Sequence, residues 1–148
     1  MNVLTFQSSP SPSRTLTELD HVRIFNLLHH RTSRAAPRVD GAVPAIDEVI
    51  EAADLVSSYD VAPNVVTMYS QVLIADGQTA EQRKLTLCYP HDAEPAVGFV
   101  SVLSPVGTGL LGLSVGQVAR WTTPQGNQAS AEILALLFQP EDSGDYLL

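Results

Sequence analysis

Cys88 and the four histidines, His21, His29, His30 and His91, are the side chains of this chain best suited to metal binding or nucleophilic chemistry. On a helix, adjacent His29 and His30 point about 100° apart and cannot close on one ion, because helical ligand pairs stand three or four residues apart. Cys88-Tyr89-Pro90-His91 sets a thiol three positions from an imidazole, but a zinc site needs two more ligands and none stands nearby. Cys88 falls in an apolar strand pattern and reads as a small core residue rather than a nucleophile. The expectation is a protein without metal, cofactor or catalytic residue.

Ser104 has no GxSxG setting, and Gly107, Gly109, Gly112 and Gly116 match neither a phosphate-binding loop nor a dinucleotide fingerprint. Ser104-Pro105 instead reads as a helix start, with serine as the N-cap and proline at the first helical position. Arg31, Arg34 and Arg38, with Asp40 beside them, form a local basic cluster in RTSRAAPRVDGAVP. A basic tip of this kind is either a solvated loop or a surface that meets an acidic partner.

These groups must be positioned by a chain of 148 residues, enough for one core of ordinary size. With 45% hydrophobic and 16% charged residues it can bury a core. Eight basic residues against sixteen acidic ones leave a net charge of −8, which argues against direct binding of nucleic acid. One cysteine cannot make an internal disulfide, so a reducing, cytoplasmic setting is expected. MNVLTFQSSPSPSR has no positive leader before its Ser/Pro run, and no apolar stretch approaches the roughly 20 residues a membrane helix requires.

Residues 1–15 read as a mobile Ser/Pro tail. Mixed steps of three and four among Leu16, Leu19, Val22, Ile24, Phe25, Leu27 and Leu28 predict a helix over 18–31, capped by Thr17. Ile46, Val49, Ile50, Ala53 and Val56 predict a second over 45–57, with acids in its first turns. Together they suggest a short antiparallel helical hairpin spanning 16–58. From residue 59 to 148 the pattern turns to strands: 65–74 and 83–89 around Asp76-Gly77, 99–103, then 118–122 and 129–138 around Pro124-Gln125-Gly126-Asn127. A short helix follows Ser104-Pro105. SAEILALLF is a good helix sequence by composition, but the preceding turn asks for a strand partner. The fold class is α+β.

VVTMYS at 65–70, LCYPHDAEP at 87–95, VSVLSPVGTGLLGLSVGQ at 100–117, TPQGNQ at 123–128 and LFQPEDSGDYLL at 137–148 together resemble the Rnk family, regulators of nucleoside diphosphate kinase. A similar order of strand, SP loop, LLG helix and TPxG hairpin forms the C-terminal domain of GreA/GreB transcript cleavage factors. The resemblance implies an FKBP-like antiparallel sheet with a short helix, preceded by a short coiled coil reaching roughly 20 Å. It implies a non-catalytic protein that binds RNA polymerase at the mouth of the secondary channel. The implied contact residues are Ser104 and Pro105, with Val106 and Gly107 beside them. Leu103 stands where Gre proteins often carry an acid before that dipeptide, and Gln117 where an aspartate is expected.

Two other functions fit such a fold. A peptidyl-prolyl isomerase needs an aromatic-lined pocket, yet the strand pattern can bury Tyr89, Phe99, Trp121 and Phe138; a generic interaction module needs only a docking surface. The sequence leaves the oligomeric state open.

Overall fold

The structure, a computed structural model, describes residues 13–29 and 46–145. In chain order these form β1 (Thr15–Thr17), α1 (Glu18–His29), α2 (Ile46–Ala52), β2 (Asp54–Val56), β3 (Gln71–Asp76), β4 (Gln82–Cys88), β5 (Phe99–Ser101), α3 (Pro105–Leu110), β6 (Val118–Thr122) and β7 (Gln128–Phe138). Two single 3-10 turns, Pro90–Asp92 and Pro95–Val97, carry the chain from β4 to β5.

Thr17 starts α1 as its spacing predicts: its Oγ1 accepts the Asp20 amide at 3.0 Å, the N-cap bond to the third helical residue. The helix turns Ile24 fully inward, while Val22 and Phe25 of the expected stripe face out, 52% and 46% exposed. α2 ends at Ala52 instead of running to 57. Asp54–Val56 is β2, which pairs in parallel with β1, Leu16 opposite Leu55. The Asp54 amide donates to the Arg14 carbonyl at 2.9 Å, so a distant backbone partner takes residues that local periodicity assigned to the helix.

The larger sheet has five strands in the order β5-β4-β3-β7-β6, all neighbours antiparallel except β4 and β5. The Asp76-Gly77 turn is tied by the Asp76 carboxylate, which accepts the Gln78 and Thr79 amides at 2.8 and 3.0 Å. These bonds hold that carboxyl below its ordinary pKa. β7 settles the conflict in SAEILALLF: it lies between β3 and β6 and satisfies backbone groups on both edges, which outweighs helix propensity. The expected strand at 65–74 begins only at Gln71. Val65, Val66, Thr67 and Met68 are buried as a turn-rich segment, with Val66 bonded to Leu113 and Gly112 and the chain reversing at Tyr69, φ 66°.

α3 packs between β5 and β6 on the inner face of the sheet. Val72, Ile74, Leu87, Val102, Leu110, Leu111, Leu113 and Ile133 join Leu16, Ile24, Val49 and Ile50 in one hydrophobic core. The N-terminal elements and the sheet therefore share a single interior.

Candidate functional site

Ser104 and its neighbours are placed by a tight corner between β5 and α3. After Ser101 the chain turns through Val102 and Leu103, whose amide donates to Ser101 Oγ at 3.0 Å. Ser104 is extended (φ −74°, ψ 157°), and its Oγ accepts the Gly107 amide at 3.2 Å, the cap expected from the sequence, with Pro105 at the first helical position. The same hydroxyl donates to the Ser101 carbonyl at 2.6 Å. Thr108 closes the corner from inside, its Oγ1 donating to the Val102 carbonyl at 2.7 Å.

Pro105 is exposed, Ser104 and Val106 are half-buried, and Gly107 is buried. Gly107 is there because the chains touch: a Cβ at this position would lie 2.0 Å from the Ser101 carbonyl oxygen. Of the four expected contact residues, Pro105 is the one offered openly to solvent, held in a fixed direction by a corner whose polar groups are satisfied internally.

Arg14 closes the other end of α3. Its guanidinium donates to the carbonyls of Thr108, Gly109 and Leu111 at 2.9, 3.3 and 2.8 Å. Burial lowers its pKa from the ordinary value. Arg14 falls in the stretch expected to be a mobile tail; residues 1–12 of that stretch lie outside the described residues, while Arg14 and Thr15 are tied to the fold. The available signal was the absence of any basic residue in the last turn of α3, which leaves its carbonyls to a partner from elsewhere. Arg31, Arg34, Arg38 and Asp40 lie outside the described residues.

Cys88 is fully buried, with Sγ 3.5 Å from the Val100 carbonyl. Burial, and secondarily the Asp92 charge, pushes its thiol pKa up, opposite to what a nucleophile needs. His91 is exposed, with Nε2 3.4 Å from Asp92 Oδ2. Asp92 accepts the Tyr69 hydroxyl at 2.5 Å, and burial with this bond pushes the Tyr69 phenol up to about 12. Among the described residues no three His, Cys, Asp or Glu side chains are grouped to hold a metal ion, and no helix is long and apolar enough to cross a membrane.

The aromatic residues depart from expectation. Tyr89 is buried and Trp121 half-buried, but Phe99 and Phe138 remain 37% and 41% exposed. Cross-strand pairing sets Phe99, Thr86, Gln71 and Phe138 in one row on the face opposite the core, and with Tyr69 they line a shallow hollow of about 300 Å³. It is an open aromatic surface with no enclosing wall. Alternation could not reveal it, because the register shifts along β3 and β7 turn residues at the end of β7 outward.

Residues 61–137 match the family described as transcription elongation factor, GreA/GreB, C-terminal. Over 137 residues the chain is 36% identical to the regulator of nucleoside diphosphate kinase of Escherichia coli K12, covering 93% of this chain and 98% of that one. It is 34% identical over 84 residues to transcription elongation factor GreA of Flavobacterium johnsoniae, 57% of this chain and 53% of that factor. Among solved structures it is similar to a prokaryotic transcription elongation factor GreA/GreB from Nitrosomonas europaea, with a TM-score of 0.68 and 31% identity, over 85% of this chain and all of that one.

Proposed function

This chain belongs to the family of the regulators of nucleoside diphosphate kinase, which carries the GreA/GreB C-terminal domain, and from that membership we propose that it is a non-catalytic regulator that docks on RNA polymerase near the secondary channel. The docking unit is the FKBP-like region 59–148, and the contact is made by Ser104, Pro105, Val106 and Gly107. The segment between α1 and α2 carries Arg31, Arg34, Arg38 and Asp40, and it is too short and too basic to drive transcript cleavage. The protein acts in the cytoplasm and changes transcription or the level of nucleoside diphosphate kinase.

One observation supports this reading above the others: Pro105 is exposed at a corner stiffened by Ser104 and by the close approach of Gly107 to Ser101. A pre-set loop loses little conformational freedom on binding. The test is Ser104→Glu with Pro105→Ala, measured for affinity to RNA polymerase core. The double variant is expected to bind weakly while its stability drops by about 1 kcal/mol, the loss of one cap. A folded double variant with native affinity refutes the docking assignment.

A further inference from the structure

α3 has six residues, too few to be stable alone, and its last carbonyls have no partners within the helix. Arg14 supplies them. One nitrogen at the tip of its guanidinium, Nη1, reaches the Thr108, Gly109 and Leu111 carbonyls at 2.9, 3.3 and 2.8 Å, so a single donor atom gathers three acceptors.

The arm carrying this side chain is itself wedged in place. The Thr15 amide donates to the Gly112 carbonyl at 2.9 Å, and a Cβ on Gly112 would stand 3.0 Å from the Thr15 carbonyl oxygen and 3.1 Å from the Arg14 Cβ. On its other side the Arg14 carbonyl accepts the Asp54 amide, and three residues on, Thr17 caps α1. Hydrogen bonds thus link the Ser104 corner, along α3 and through Arg14, to the start of β2, and the three residues after Arg14 carry the connection to the start of α1. The two ends of α3 lie only about 9 Å apart, so a shift at Leu111 re-aims Pro105.

We infer that Arg14 is a positioning residue for the partner contact: by holding the C-terminal end of α3 it fixes the direction in which Ser104 and Pro105 face, and it makes the docking corner and α1 one rigid piece. This rests on the docking reading above, and the test separates the two. Arg14→Met removes the donors and the charge; Arg14→Lys keeps the charge and a single donor nitrogen but sets that nitrogen one bond nearer the backbone, short of the three carbonyls. Each variant, confirmed as folded at the temperature of measurement, is compared with the wild type and with the Ser104→Glu, Pro105→Ala variant for affinity to RNA polymerase core and for amide hydrogen exchange.

Arg14→Met should bind about ten-fold more weakly. Exchange at the Thr108 and Leu111 amides should quicken, while β3, β4 and β7 stay protected. Arg14→Lys should fall between Arg14→Met and the wild type in both measurements. A merely stabilising Arg14 would lower the melting temperature and leave the affinity of the folded protein unchanged. Native affinity in Arg14→Met, alongside weak binding by the corner variant, overturns the role of Arg14 and leaves the docking reading standing. Native affinity in both overturns both. If Arg14→Met does not fold, Arg14→Lys decides, native affinity again overturning the inference.

Discussion

Asp20 carries a charge into the interior, and replacing it with asparagine should make the protein more stable at neutral pH. The carboxylate is 2% exposed; it accepts the Met68 amide at 3.1 Å, while the Asp20 amide is bonded to Thr17. Burial pushes its pKa from 3.8 up to about 6, and the charge of Glu141 adds to the rise; the Met68 amide, the Thr17 hydroxyl and Arg23 pull the other way. Glu141 is itself fixed nearby by the Thr67 hydroxyl at 2.7 Å.

A carboxyl whose pKa is raised in the folded state binds its proton more tightly there than in the unfolded chain. Its favourable contribution is fully present below about pH 3.8 and is lost as the pH climbs through about 6. Two pKa units correspond to about 3 kcal/mol, so at pH 7.5 the ionised carboxylate costs the fold up to that amount. Asp20→Asn keeps an oxygen for the Met68 amide and removes the charge. The expected gain at pH 7.5 is up to about 3 kcal/mol, or about 6 to 12 °C in melting temperature. Thermal melts of both proteins from pH 4 to 8 isolate the effect, because every other titrating group is common to them. The variant's advantage should grow between pH 4 and 7 and then level off. Parallel stability curves, or a variant less stable at pH 7.5, would refute this account of Asp20.

Leu111, fully buried at the exit of α3, should cost about 2 to 5 kcal/mol on replacement by alanine in urea unfolding, and a loss under about 0.5 kcal/mol would mean that α3 is not part of the core. A backtracked elongation complex incubated with the protein should yield no shortened transcripts beyond those from polymerase alone. RTSRAAPRVDGAVP offers one acid, Asp40, against three arginines, where a second divalent cation would need carboxylates. Shortened transcripts would refute this, whereas suppression of Gre-stimulated cleavage is the result expected from competition for one docking surface.

What could be read from the sequence was what local rules govern. Thr17 and Ser104 announce their helices because a cap is a bond within four residues, and β6 and β7 were visible from the turn between them. Where a distant partner decides, the reading failed. Val56 has a helical spacing, yet β1 claims it; Val66 has strand propensity, yet it bonds to Leu113 and Gly112 across the core. Of the site, the Ser104 corner was legible from its cap and from a family resemblance. Arg14 was not, since its three acceptors lie more than ninety residues along the chain and a lone arginine after a Ser/Pro run has no periodicity to betray it.

The parallel pairing of β1 with β2 has a consequence for how relatives of this protein can diverge. Two strands running side by side in the same direction close the chain on itself at the foot of α1 and α2, so everything between Thr17 and Asp54 forms one loop anchored at both ends. The entropy of closing a loop grows only with the logarithm of its length, and doubling that length costs about 0.6 kcal/mol. An insertion between the two helices is therefore tolerated by the anchored base almost regardless of size. Evolution can lengthen or shorten the segment between these strands without redesigning the sheet, and the same base offers a natural point for grafting a segment of chosen length.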